Sequence, residues 1–299
     1  KYLWPLPSLL NIFPPERSLF NIILSLYGVS GIVDSVTHAL AVSLPLLALG
    51  SASLIPFAVL GAVIPDIDVV FEMIPENDHL DYIFSHGGIT HSLAGVLAIS
   101  VAAFAVVMAL NRIPFVQEKF PFTMTYAILI AILAGAVSHV FLDYLAYPGI
   151  PLLYPFSTEK YTAGILPGPS LFMLLMSIVF LSLFVLNKVG REQIRIYLVL
   201  FVCFILLSAG MKLYVVLQTD GEAVPGLNPA RWLIIKEDDS AYVVQEYHLL
   251  RGVTDEKIFE KYSNISPEEA DNYRDLPEIQ RLRYHSYIMT VEKDTSQIT

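Results

Sequence analysis

Four of the seven histidines in this 299-residue chain lie in short motifs whose spacing suits chemistry. His38 closes Asp34-Ser35-Val36-Thr37-His38, His86 and His91 bracket His86-Gly87-Gly88-Ile89-Thr90-His91, and His139 precedes Asp143 by four residues. A fourth motif, Pro65-Asp66-Ile67-Asp68, adds two carboxylates. Residues four apart share one face of a helix, so His139 and Asp143 point the same way. Imidazole and carboxylate form a donor set for divalent ions: zinc takes both, and manganese or magnesium also accepts the carboxylates. The single cysteine, Cys203, leaves no Cys-based zinc knuckle or disulfide within one chain. A set without thiolates suits a catalytic site, which keeps a position open for water, better than a closed structural one.

The expected ligands are therefore His38, Asp66, Asp68, His86, His91, His139 and Asp143, with Asp68 or Asp143 as the general base. Each motif also has a plainer reading. A histidine in an apolar protein is more often a hydrogen-bonded interior residue, His139 and Asp143 can be a helix-stabilising pair, and Asp66 and Asp68 can end a helix. Together the motifs favour function, because ionisable groups in or beside membrane segments are costly and usually serve it. Thr37, Thr90 and Ser138 each precede a candidate histidine and can cap helices or support ligands from behind. Asp34, one turn before His38, can orient it or cap the helix. His79 reads as a solvated loop residue, and His248 and His285 as ordinary ones.

The elements that must carry these residues are membrane helices. The chain is 55% hydrophobic and 15% charged, where a soluble domain is about a quarter charged. Residues 218–299 hold 9 of the 18 basic and 16 of the 28 acidic residues, which leaves the preceding part poorer still in charge. A net charge of −10 offers no basic footprint for nucleic acid. A hydrocarbon core needs about 20 helical residues to cross, and the runs 89–110, 123–147, 170–187 and 194–217 supply them. The run 19–33 is marginal. The runs 37–49 and 54–64 are each too short to cross and are expected to form a short or re-entrant hairpin inside the bundle. Pro14, Pro15 and Glu16 argue against a cleaved signal peptide.

The expected fold is thus mainly α: a polytopic helical bundle over residues 1–217, followed by a small extramembrane α+β domain over 218–299. In that tail, alternation predicts strands near 231–236, 241–250 and 284–291, and Ser266-Pro267-Glu268-Glu269 starts a helix near 267–283. Lys and Arg of the short loops, Arg17, Arg112, Lys119, Lys188, Arg191 and Arg195, fall on one membrane face. By the positive-inside rule that face is cytoplasmic. The motifs and the tail then lie on the extracytoplasmic side of a multi-pass protein of the cell membrane.

The ordered set Thr37-His38, Pro65-Asp66-Ile67-Asp68, His86-Gly-Gly-Ile-Thr-His91-Ser92 and Ser138-His139-Val-Phe-Leu-Asp143, followed by Pro148-Gly149-Ile150-Pro151, resembles the membrane-bound metal-dependent hydrolase family typified by YdjM. The resemblance covers roughly residues 30–190. It implies a multi-span, metal-dependent hydrolase. Gly87 stands where that family often has Arg; if the Arg clamps an anionic substrate, Lys160 or Lys212 must replace it here. The location suggests membrane lipids as surroundings and a lipid or lipid-linked ester or phosphoester as substrate. The competing function is a non-enzymatic metal-binding transporter or scaffold whose tail binds a protein partner. Ligands at helix ends, away from the bilayer midplane, favour the enzyme.

Overall fold

A computed structural model describes residues 30–73, 87–168, 170–276, 279–280, 283–284, 286 and 288–293. Helix α1 (Ser30–Ala48) turns at Gly50, whose φ of +74° suits glycine, into a 3-10 turn and helix α2 (Ile55–Val63). A further 3-10 stretch, Ile64–Met73, continues α2, and a one-turn 3-10 helix, Ile89–His91, leads into α3 (Leu93–Leu110). The short α4 (Pro114–Lys119) connects to α5 (Tyr126–Leu145), and α6 (Leu171–Val185) and α7 (Arg191–Gln218) complete the helical part.

Four stretches among the described residues are long and apolar enough to cross a membrane: Ala52–Val69, Leu93–Leu110, Tyr126–Leu145 and Arg191–Gln218. Three coincide with expected spans. The expected run 170–187 forms a helix of 15 residues, below that length. Conversely, the second arm of the expected hairpin is extended at both ends by 3-10 turns and reaches 18 residues. The run 19–33 lies mostly outside the described residues.

Small residues set the packing of the bundle centre. A Cβ on Gly61 would lie 1.9 Å from the Ile132 carbonyl oxygen, and one on Gly135 would lie 2.0 Å from that of Ala58. The backbones of α2 and α5 therefore touch, as small residues permit where lipid supplies no hydrophobic drive. Helix α1 packs on both. Buried hydroxyls tie it to the last two helices: Thr37 Oγ1 lies 3.1 Å from Ser177 Oγ of α6, which lies 2.9 Å from the Tyr197 hydroxyl of α7. Such groups are costly in an apolar interior unless they satisfy one another. Apolar side chains on the outer faces, such as Leu97 and Val101 of α3 and Leu206 and Leu207 of α7, are exposed, as lipid-facing residues would be.

Two further connections follow the C-terminal ends of α5 and α7. After α5, the two-residue strands β1 (Ala146–Tyr147) and β2 (Leu166–Pro167) pair in parallel, and Ile150 bridges to Tyr161. After α7, strands β3 (Glu222–Pro225), β4 (Arg231–Glu237), β5 (Ala241–His248) and β6 (Gly252–Glu260) form an antiparallel meander. Its apolar face, with Ala223, Trp232, Ile234 and Tyr247, packs on Val215 at the end of α7. The sequence pattern foretells β4 and β5 but not β6, whose exposed Thr254, Asp255 and Glu256 suit an edge strand. Strand β7 (Tyr262–Ser263) pairs with β8 (Val291–Glu292), so the expected strand near 284–291 is brief among the described residues. The predicted helix start is present, with Ser266 accepting from the Glu269 amide; α8 is Pro267–Asp271, and residues 279–280 and 283–284 are again helical.

Replacing Gly135 with Ala places a methyl group against the Ala58 backbone and is expected to destabilise the bundle by about 1–3 kcal/mol. Gly210→Ala in α7, where a Cβ meets nothing within 4 Å, is expected to be neutral or stabilising. Thermal unfolding of the two variants in the same detergent compares them.

Candidate metal centre

The motifs converge from four elements, and His38 lies in the middle of α1 rather than at a helix end. Helix α1 contributes His38, the 3-10 stretch after α2 contributes Asp66 and Asp68, the turn before α3 contributes His91, and the last two turns of α5 contribute His139 and Asp143. His139 stands six residues before the end of α5, about 9 Å along the helix. His38, Asp68, His91 and His139 are buried. The side chains of Asp66 and Asp143 retain 12% and 20% exposure, which makes the Asp143 side the open one.

The distances among the facing atoms leave room for a shared ion. His91 Nε2 and His139 Nε2 are 3.0 Å apart. Asp66 Oδ1 lies 3.6 Å from the first and 3.3 Å from the second. Asp143 Oδ2 lies 3.3 and 3.0 Å from the same two atoms. Ligands held tetrahedrally at about 2.0–2.1 Å from a zinc-like ion sit about 3.3 Å from one another. His38 joins from the side: its ring stacks on that of His139 at 3.8 Å between centroids, and its Nε2 is 3.4 Å from Asp143 Oδ1. Two overlapping groups can hold a metal ion, Asp66 with His91 and His139, and His38 with His139 and Asp143.

The far side of each imidazole decides what the near side offers. His139 Nδ1 lies 2.7 Å from the Ala62 carbonyl oxygen, which can only accept, so this nitrogen carries the proton. Ala62 is in the last turn of α2, and Pro65, three residues on, has no N–H to give it. His91 Nδ1 lies 3.1 Å from Asp68 Oδ2 and 2.9 Å from Thr90 Oγ1. Thr90 itself donates to the same carboxylate oxygen at 2.5 Å. With both Nδ1 atoms donating, both Nε2 atoms present lone pairs to each other and to the two carboxylates. Such an assembly of acceptors can hold a cation between its members, and orientation of this kind by outer partners is typical of metal-bound histidine.

The placement sorts the sequence-predicted residues. His38, Asp66, His91, His139 and Asp143 meet, whereas Asp68 touches His91 at Nδ1, away from the meeting point. His86 and His79 lie outside the described residues, as does the side chain of Asp34. Thr90 supports His91 as expected; Thr37 instead joins the hydroxyl chain to α6. Sequence reasoning missed Ser35, which donates to Asp66 Oδ2 at 2.5 Å. Its position one turn before His38 on the same helical face was the available signal.

Gly87, in place of the expected Arg, has φ of +77° and donates its N–H to Asp68 Oδ2 at 3.2 Å. That left-handed backbone favours glycine. The two candidate substitute cations have other partners. Lys212 donates to the Ala163 carbonyl at 2.6 Å. Lys160 lies 4.1 Å from the centre of the Tyr284 ring, and burial pushes its ammonium down to about 8.

No curated protein and no solved structure matches the chain. A family model described as YdjM inner membrane protein matches residues 33–217, well over half the chain and the whole of the cluster.

If the cluster takes an ion, zinc or manganese added to chelator-treated protein raises its thermal midpoint in a concentration-dependent manner. Stabilisation reaches about 4 kcal/mol at a thousandfold excess over the dissociation constant. The double variant His91→Ala/His139→Ala is expected to lose that response.

Proposed function

Since the chain belongs to the YdjM inner membrane protein family, we propose that it is a membrane-bound, metal-dependent hydrolase acting at the extracytoplasmic interface on a lipid or lipid-linked ester or phosphoester. The observation that carries this reading is the convergence of two lone-pair-bearing imidazole nitrogens and two carboxylates at 3.0–3.6 Å. The donor set fits zinc best, with manganese as the nearest alternative. A divalent ion held there supplies Lewis acidity and makes water acidic enough to attack near neutral pH.

The protein's own residues divide the remaining work. Asp66, His91 and His139 are the ligands in this reading, and His38, His86, Asp68 and Asp143 complete the set named from the sequence. Asp68 serves chiefly to orient His91, since its Oδ2 already receives Thr90, Gly87 and the His91 Nδ1 proton. Asp143 is the general base. It is the more exposed of the two converging carboxylates, and its second oxygen, 3.4 Å from His38 Nε2, can pass a proton on to that imidazole. Ser35 holds Asp66 by its outer oxygen and so leaves Oδ1 aimed inward.

The bundle over 1–217 and the tail over 218–299 are taken as two units, with the tail as a module for a protein partner. The tail follows the C-terminal end of α7, and the open side of the cluster lies in the last turns of α5.

Two measurements test the assignment. Elemental analysis of protein purified without added metal is expected to find the ion in the parent and not in His91→Ala/His139→Ala; equal metal in both rejects the site. Hydrolysis of lipid esters and phosphoesters with added zinc or manganese is then expected to fall at least a hundredfold in Asp143→Asn. Thr90→Val should weaken metal binding about 10–100-fold, as loss of an outer partner does. Metal flux into liposomes without turnover would assign the chain to transport.

A further inference from the structure

Beside the cluster, on the membrane side of α5, runs an apolar groove of about 320 Å³. Its walls are Ala41, Val42, Pro45 and Leu46 of α1, Leu54 and Ala58 at the start of and within α2, and a stripe along α5. That stripe, Ala127, Ile130, Ala131, Ala134 and Ser138, repeats at three and four residues, so it is one continuous helix face. Ser138 supplies the one polar side chain of the lining.

Both ends of the groove have a definite place. At one end, Ser138 adjoins His139, and Ala41 and Val42 lie one turn beyond His38 on the same face of α1. The other end is at Ala127, in the first turn of α5. Ser138 and Ala127, eleven positions apart on α5, are separated by about 16 Å. Along this length the wall is open sideways: Pro45, Ala127, Ile130 and Ala134 are exposed, on helices long and apolar enough to lie in a bilayer. A further helix does not fit the groove. At about 10 Å diameter it would need on the order of 1,000 Å³ over that distance, and the alanines leave a furrow rather than a face. A single hydrocarbon chain has the right calibre.

We propose that this groove binds the hydrocarbon chain of a membrane lipid with its polar end at the His38 and Asp143 side of the cluster, which makes that lipid the substrate class of the site. The inference rests on the hydrolase reading for what happens at the polar end, but chain binding itself does not depend on it. The direction follows from the ends of the groove: the polar group of the lipid goes where the His/Asp cluster is, and the chain continues past Ala134 toward Ala127. A lipid of the opposite leaflet would lie the other way round, with its headgroup near Ala127. Short-chain or soluble esters leave most of the groove unfilled and are expected to be poor ligands.

The test uses the full chain in nanodiscs of phosphatidylethanolamine and phosphatidylglycerol. These are doped with a phospholipid carrying a photoactivated diazirine either near the carbonyl or at the end of one acyl chain. Mass spectrometry of the labelled protein is expected to place the near-carbonyl probe on the 38–42 and 138 positions and the chain-end probe on the 127–130 and 54 positions. Labelling should exceed that of the exposed Leu206 and Leu207 of α7. Ala134→Phe, which fills the furrow, is expected to cut groove labelling about tenfold, the loss that follows when two methylenes are denied burial. Val137→Phe, on an exposed face of the same helix outside the lining, should leave it unchanged. Reversed probe order, labelling no stronger than on α7, or equal labelling in both Phe variants overturns the proposal. So does a disulfide-linked dimer formed by Ala134→Cys at the expense of labelling, because a second copy then occupies the furrow. Metal content measured on the same samples separates the two readings: ordered labelling without bound metal keeps the groove and removes the hydrolase, and bound metal without ordered labelling does the reverse.

Discussion

The arrangement at the centre of this protein turns on which nitrogen of two imidazoles carries the proton. The Ala62 carbonyl takes the proton of His139 Nδ1, and Asp68 with Thr90 takes that of His91 Nδ1. Their opposite nitrogens are then left as bare acceptors 3.0 Å apart, beside two carboxylates. Four acceptors repel one another unless a proton or a cation lies between them, so the surroundings must hold them in place. That task falls on the tight contact of α2 with α5 and on the outer hydrogen bonds from Ser35, Thr90 and Gly87.

The membrane makes this economy strict. Polar atoms inside an apolar bundle need partners from the protein, and several of the described ones contribute to the site or to its support. The Ala62 carbonyl near the end of α2 is taken up by His139. Hydroxyls of Thr37, Ser177 and Tyr197 bind α1 to α6 and α7 and so hold the helix that carries His38. Glycines at 61 and 135 allow the backbones to touch, which sets Ala62 within reach of His139. The same small-residue surface that brings these helices together leaves the furrow beside Ala134, so packing and lipid access share one cause.

The polar part is joined to the bundle by burial rather than by a free linker. Trp232, Ile234 and Tyr247 cover Val215, so the four-stranded sheet continues the last membrane helix. Its charged edge strand faces outward. This geometry explains how a chain with two contrasting compositions forms a continuous core at their junction.

Much of this was legible from residue types alone. Low charge, long apolar runs and their Pro, Gly and Lys boundaries specify a membrane bundle, because hydrocarbon admits few other solutions. The His/Asp motifs mark the site, because such residues are rare and costly there, and the i, i+4 spacing of His139 and Asp143 already puts two donors on one face. Side-chain alternation foretells β4 and β5, whose inner faces are buried, but not the solvated edge strand β6. What only the tertiary structure decided is the division of labour. Asp66 and Asp68 are two residues apart in the same motif, yet one faces the meeting point and the other stands behind His91. That difference arises from the 3-10 path after α2 and from where α5 and the turn before α3 come to lie. Ser35 and the furrow along α5 are likewise products of packing, since partners distant in sequence create them and no local spacing records which partner will arrive.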